Sequence, residues 1–404
     1  MKISIIVGGK FHAFNLAKQI NDKHYLKQIV TSYPKSYLKK YSIRKDQIQS
    51  IILKEILLKF CNKINFLNNI FDYNYILCQY FDNKASNCID YDNVDILVGW
   101  SGFSKKCFIK AQKYNCIKIL ERGSSHIKYQ KEILLNEYNN LGIKPNVPSQ
   151  KMIEKEMDEY NLADFICVPS EYVKESFIKY GIAEDKIIKI PYGVDLEEFT
   201  LIENKKKKDN KFRIISTGSV SIRKGSHYLL EAFHDLCLPN SELIFVGDIS
   251  NDFKKITKKY SNIKNIHFIK KQKQEILKYY YNDSDLFVLC SIEEGLAMVQ
   301  AQAMACGLPV ICTENTGGAE IVDDDINGYI VPIRNIEILK DKIKTLYNDR
   351  SKLKKMSKSA HLKANTKLSW ETYGVKMIKV YQDLLQKKFK ICIYINKYEN
   401  FISL

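Results

Sequence analysis

Residues 291–313 read SIEEGLAMVQAQAMACGLPVICT. Two carboxylates and Gly295 open the stretch, an apolar run with amides at Gln300 and Gln302 follows, and Gly307-Leu308-Pro309 leads into a β-branched run. The preceding DLFVLC (285–290) has the unbroken apolar character of a buried parallel strand. The pattern predicts a helix from about Met298 to Ala305, ended by Gly307 and Pro309, with the next strand in PVICT. Residues 291–297 are then a loop at the carboxyl end of a strand, where open α/β sheets bind ligands. The helix start behind it offers N–H groups and a positive dipole to phosphate. A carboxylate at Glu294 would repel phosphate but suits sugar hydroxyls. Gly295 lets backbone approach a ligand closely. Gln302, two turns on, is placed to meet a ribose. Glu293 reads as a solvated neighbour of Glu294.

The same strand-and-helix alternation extends in both directions. KISIIV, DILVGW, CIKIL, DFICVPS and KIIKIPYG read as strands up to Gly193. The polar run ENKKKKDN (203–210) reads as a surface loop or linker, and the alternation restarts with FRIISTGS, ELIFVGD, IHFI, LPVICT and GYIVP. Alternation of this kind implies parallel sheets covered by helices, and the restart near Phe212 implies two of them. The expected fold class is α/β, with two Rossmann-like, doubly wound parallel-sheet domains. The expected boundaries are 1–193 and 194–365. An amphipathic helix at about 366–387, carrying Trp370, Tyr373, Met377 and Tyr381, is expected to dock on something already built. Residues 388–404 receive no role. Residues 48–71, apolar and basic together, read as a core-docking helix, with a membrane-surface helix bearing Lys54, Lys59 and Lys63 as the alternative.

Composition narrows the function. The chain of 404 residues carries a net charge of +17, yet only six of its 63 basic residues are arginine. Nucleic-acid readers lean on Arg, so no nucleic-acid partner is expected, while Lys-rich positivity suits an anionic membrane surface. The 11 cysteines show no CxxC spacing, so neither a zinc site nor a disulfide framework emerges. MKISIIVGGK reads as a strand and a glycine loop rather than a signal peptide, and no apolar run is long enough to span a membrane. The expectation is a cytoplasmic protein, with peripheral contact to the inner face of the cell membrane as an option.

The 294–310 stretch resembles the donor-binding segment of retaining glycosyltransferases of the GT-B fold, family 4, whose usual form is Glu-x7-Glu followed by Ala-Met-Ala-x-Gly-x-Pro-Val. Glu294 matches the first Glu, and Gln302 stands where the second would be. The resemblance extends over most of the chain through PYGVDLEEF (191–199), TGSVSIRKGSHYLLEAF (217–233) and TENTGGAEIVDDDINGYIVP. It implies that Glu294 orients the donor sugar and Gln302 holds the ribose, where an amide oxygen still accepts a hydrogen bond. Arg223 and Lys224 match the family's basic pair on the donor diphosphate, and Ser219 departs from an Arg frequent there. Gly8 and Gly9 resemble the loop near the donor phosphates, and His126 in ERGSSH resembles the family's active-site histidine. The implied catalytic set is Glu294, His126, Arg223 and Lys224. The implied donor-binding set is Gly8, Gly9, Gly218, Gly295, Leu296, Ala297, Met298 and Gln302. Neither a metal nor a cofactor is implied.

The substrates implied are a UDP- or GDP-sugar, held by the second domain, and a glycan or lipid-linked acceptor, held by the first. The helix around Trp370 is expected to cross back to the first domain. A nucleotide-sugar 2-epimerase of the same architecture is the enzymatic alternative. A basic surface-binding protein using the fold as a scaffold is the non-enzymatic one. Base selectivity is expected near FIKKQKQE (268–275).

Overall fold

The computed structural model describes residues 1–63, 72–202 and 209–402, with side chains of the last helix described to Lys388. Strands β1 (Ile3–Val7) and β11 (Leu286–Leu289) are buried at every position. A strand with no polar face needs cover on both sides, which parallel sheets obtain from their crossover helices. Two such sheets form. The first has seven strands in the order β3-β2-β1-β4-β5-β6-β7. Here β2 is Leu26–Thr31, β3 Ile48–Ser50, β4 Ile96–Trp100, β5 Ile117–Glu121, β6 Phe165–Val168 and β7 Ile187–Lys189. The second has six strands in the order β10-β9-β8-β11-β12-β13. Its members are β8 Phe212–Thr217, β9 Ser241–Val246, β10 Ile266–Ile269, β11, β12 Val310–Thr313 and β13 Gly328–Val331. Every strand pair in both is parallel. The two Rossmann-like α/β sheets are as the sequence implied.

The strand order reverses between β1 and β4 in the first sheet and between β8 and β11 in the second. The loops leaving the two central strands part at such a point and open a crevice. The loop after β11 leads into a helix at Met298–Ala305, the bounds expected from sequence.

Two features depart from the reading. Strands β2 and β3 were not expected. Residues 48–50 form an edge strand, so the helix begins only at Leu53 (Leu53–Lys63, α2 below). Lys54 is turned inward, donating to the Gly8 carbonyl at 2.7 Å and to Glu55 at 2.8 Å, so it is not offered to lipid. The outward face carries Leu53, Ile56, Leu57 and Phe60. Residues 64–71 of that segment, and 203–208 of the Lys-rich run, lie outside the described residues.

Two helices tie the halves together. The last helix (Trp370–Ile402) buries Tyr373, Met377 and Tyr381 in the core of the first sheet. Its Gly374 is pressed to the helix Ala13–Asp22, where a Cβ would come within 2.6 Å of Gln19. The helix after β5 (Ile127–Asn140, α5 below) belongs by sequence to the first sheet, yet inserts Leu134 and Tyr138 into the core of the second. Burying each contributes about 1.5–3 kcal/mol. Among the described residues no helix is long and apolar enough to cross a membrane, and the ten described cysteines are free thiols.

Candidate active site

Between the two reversal points lies a cavity of about 760 Å³ walled by both halves. The first half contributes Phe11, His12, Trp100, Glu121, Arg122 and Ser124, all on loops or strand ends at the carboxyl edge of its sheet. The second contributes Gly218, Arg223, Lys224, Glu294, Met298 and Gln302, from the loops after β8 and β11 and from the helix that follows. Residues 209 to 302 thus deliver cations, a carboxylate and an amide to one wall.

The loop after β8 is fixed by its glycines. Gly218 has φ +112°, and Gly225 has φ +60° and lies so close to β11 that a Cβ would fall 1.8 Å from the Cys290 carbonyl. L side chains rarely adopt such backbone. The turn is fastened by the Ile292 amide donating to the Arg223 carbonyl at 2.9 Å. This places Arg223 and Lys224 beside the Glu293-Glu294 loop. Lys224 Nζ contacts the Glu294 carboxylate directly. Arg223 Nε donates to Glu293 Oε2 at 2.9 Å, and its Nη2 reaches Ser124 Oγ at 3.1 Å. Burial works against the Arg223 charge, but Glu293 and Glu294 outweigh it and raise its pKa. Gln302 sits on the same wall, its Oε1 3.4 Å from the Tyr281 hydroxyl.

The residues singled out from sequence divide into two groups. Gly218, Arg223, Lys224, Glu294, Leu296, Ala297, Met298 and Gln302 all line the cavity, and Lys271, Gln272 and Gln274 of the expected base-selecting stretch do as well. The others fall elsewhere. Gly8 and Gly9 lie off the wall: Gly8 is packed on the Phe103 ring, 2.1 Å from where its Cβ would be, and their loop instead presents Phe11 and His12. Gly295 allows a close backbone approach to the first half. A Cβ there would lie 1.9 Å from the Gly123 carbonyl, and the Gly295 carbonyl accepts from Ser170 Oγ at 2.7 Å.

His126 is fully buried away from the cavity. Its Nδ1 accepts from the Lys128 amide, capping α5, and its ring stacks on Tyr180 at 4.6 Å among Tyr160 and Phe177. Burial, with Arg122 and Lys128 nearby, pushes its pKa down to about 3, so it stays neutral.

Glu293 is not a solvated neighbour. It is fully buried, and its carboxylate accepts from the Ser125 amide (2.9 Å), Ser125 Oγ (2.7 Å), Gln130 Nε2 (2.8 Å) and Arg223 Nε (2.9 Å). Burial opposes its charge, but Arg223, Gln130 and Ser125 prevail and hold its pKa below the ordinary carboxylate value. Glu320 also joins the halves, accepting from the Glu171 amide at 2.7 Å and from Lys189 at 3.2 Å.

Sequence reasoning passed over His12. His12 Nε2 lies 3.1 Å from Glu121 Oε2 on the floor of the cavity, with the His12 ring 4.1 Å from that of Tyr192. His12 lies three residues past Gly9, and the glycines of that loop drew the weight.

The chain is similar to known proteins in sequence and in fold. Residues 198–363 match the family model of glycosyl transferases group 1, and residues 126–198 that of glycosyltransferase family 4. The chain is 26% identical over 240 residues to the capsular polysaccharide biosynthesis glycosyltransferase CapM of Staphylococcus aureus, covering 55% of this chain and 62% of CapM. Among solved structures, sucrose-phosphate synthase from Thermosynechococcus elongatus superposes with a TM-score of 0.69 at 16% identity, covering 96% of this chain and 100% of the synthase. Anabaena HepE in complex with UDP superposes with a TM-score of 0.68 at 15% identity, covering 95% and 100%. The chain spans 48–62% of the length of the curated relatives it matches first. The fold is that of GT-B glycosyltransferases, and the matched segments are similar to those of glycosyl transferases group 1 and glycosyltransferase family 4.

Proposed function

We propose that this protein transfers a hexosyl unit from a UDP- or GDP-sugar to a glycan or lipid-linked acceptor, with retention at the anomeric carbon, in bacterial surface polysaccharide synthesis. The observation that carries the reading is the convergence of Arg223, Lys224, Glu294 and Gln302 on one cavity that both halves wall. In this reading the diphosphate lies against Arg223 and Lys224, the sugar hydroxyls against Glu294 and the ribose against Gln302. Glu294, now paired with Lys224, exchanges part of that contact for the sugar. The acceptor hydroxyl attacks the anomeric carbon on the face the diphosphate leaves. Its oxygen forms the new C–O bond as the bond to the phosphate oxygen breaks, and the departing phosphate takes the hydroxyl proton. Arg223 and Lys224 meet the charge that develops on the leaving group, so the step needs no metal in this proposal. The first half supplies the acceptor wall, and contact between the halves excludes water. The similarity to CapM and the UDP complex of HepE favour a UDP-sugar and a surface-glycan acceptor.

The test is thermal shift of the purified protein with UDP, GDP, ADP and CDP and their sugar conjugates. A ligand that binds only the folded state raises the melting temperature. A shift with UDP or GDP that is lost in the Arg223→Ala, Lys224→Ala double variant is expected. A shift that survives in that variant places the phosphates elsewhere. Epimerised sugar released without acceptor would replace transfer with epimerisation.

The same reading places the protein on the cytoplasmic side, in peripheral contact with anionic membrane. The contact is the outward face of α2, where Leu53, Ile56, Leu57 and Phe60 project beside Lys59 on a chain of net charge +17. Co-flotation with phosphatidylglycerol vesicles, weakened by Phe60→Ser, is expected; equal recovery without vesicles removes the contact.

A further inference from the structure

Glu293 stands at the centre of a hydrogen-bonded chain that crosses from one half to the other. In the first half, Glu156 holds Arg122 at 3.0 Å, and Arg122 Nη2 donates to Gln130 Oε1 at 3.1 Å. That contact fixes the Gln130 amide so that its Nε2 donates to Glu293 at 2.8 Å. Glu293 in turn accepts from Arg223 Nε at 2.9 Å. Of the four donors on the Glu293 carboxylate, three come from the first half and only Arg223 from the second. The carboxylate is therefore satisfied only while the halves are in contact, because a buried charge stripped of its partners is unstable.

The bond to Nε has a geometric effect. A guanidinium is planar, so fixing Nε and the side-chain stem fixes the plane and the direction of the two terminal nitrogens. Here the terminal edge lies on the cavity wall, with Nη2 at Ser124 Oγ, while the Nε edge is held by Glu293. Glu294, next in sequence, is 3.9 Å from Nη2 and is the alternative carboxylate for Arg223 once Glu293 loses its partners.

We infer that Glu293 is a positioning residue which couples contact between the two halves to the orientation of Arg223, so that the guanidinium is aimed at the leaving diphosphate only when the acceptor wall is in place. Glu293 touches no substrate itself and acts through Arg223. The inference rests on the reading that Arg223 faces the donor diphosphate. Its consequence is that loss of the coupling slows transfer without weakening nucleotide binding in proportion.

The experiment compares wild type, Glu293→Gln and Gln130→Met. Calorimetry with UDP and with GDP gives affinity, and release of the diphosphate from its sugar conjugates at saturating donor gives kcat. Gln130→Met removes one of the three first-half donors that hold Glu293 and changes neither Glu293 nor Arg223, which covers the case in which Glu293→Gln fails to fold. Both variants are expected to lower kcat tenfold or more while the diphosphate Kd stays within threefold. Arg223→Lys added to either is expected to cost less than it does in wild type, as coupled residues do. Wild-type kcat in Gln130→Met, or independent, multiplying losses with Arg223→Lys, overturns the coupling and leaves the donor-site reading intact. Absence of UDP and GDP binding by wild type overturns the donor-site reading and this inference with it.

Discussion

On the flank proposed to hold the donor, called the donor flank below, Glu294 pairs with Lys224 at the wall of an open cavity. On the α5 flank, Glu137 is fully buried and accepts from Tyr228 at 2.8 Å and Arg334 Nε at 2.6 Å, with His227 Nε2 at 3.0 Å. Burial opposes the Glu137 charge, but these three partners from the other half outweigh it and keep its pKa low. Both sites pair a carboxylate with cations, and the difference lies in the surroundings. A pair at a cavity wall can exchange a protein partner for a ligand at little cost. A buried one cannot lose a partner without leaving charge or polarity unmatched. One flank is built for exchange, the other for holding the halves together.

The comparison is broken most directly by removing one member from each flank. Glu294→Ala should lower transfer by about 100-fold or more, since in the proposed function the lost contact is to the reacting sugar, and should leave the melting temperature nearly unchanged. Leu134→Ala, in the α5 segment that enters the second core, should do the reverse: about 2–5 kcal/mol of stability lost, with UDP affinity retained by the fraction that remains folded. Kinetics and thermal melts on the two proteins decide it. If Glu294→Ala melts well below wild type, the donor flank is also structural and the contrast fails.

The same contrast explains what could be read in advance. Strands β9, β11, β12 and β13 hold runs of three or four consecutive apolar residues with Gly, Asp or Pro on one side, so their kind is a local property. β2 carries Lys27 and Gln28 within it, and β3 is three residues long at the sheet edge, so neither stands out from its neighbours. The donor flank was legible because its residues come from two short loops with fixed spacing. The α5 flank was not. Glu293 is satisfied by Ser125 and Gln130, 168 and 163 positions away, and nothing near it in sequence marks it as buried. The histidines show the same limit. His126 lies in a motif that resembles a catalytic loop but turns into the aromatic cage. His12 reaches the cavity because the Gly8-Gly9 loop swings it over Glu121, 109 positions away.

His126 also gives the smallest expected effect, and one that sharpens the assignment of the α5 flank as structure. Its folded pKa is about 3, depressed by burial and by Arg122 and Lys128, against an ordinary value of 6.5. Above pH 6.5 the ring is neutral in both the folded and unfolded chain, and its contribution is fully present. As pH falls below 6.5 the unfolded chain takes up a proton that the folded ring refuses until about pH 3, so stability is lost across that window. His126→Gln keeps a group able to accept from the Lys128 amide but has nothing to titrate. It should melt below wild type at pH 7.5, because the aromatic cage loses a ring, and the gap should narrow steadily as pH falls to 5. Melting curves at four or five pH values measure it. A gap that stays constant would mean the ring reaches solvent and takes its proton in the folded state. That outcome would return His126 to the side of the cleft where ligands bind.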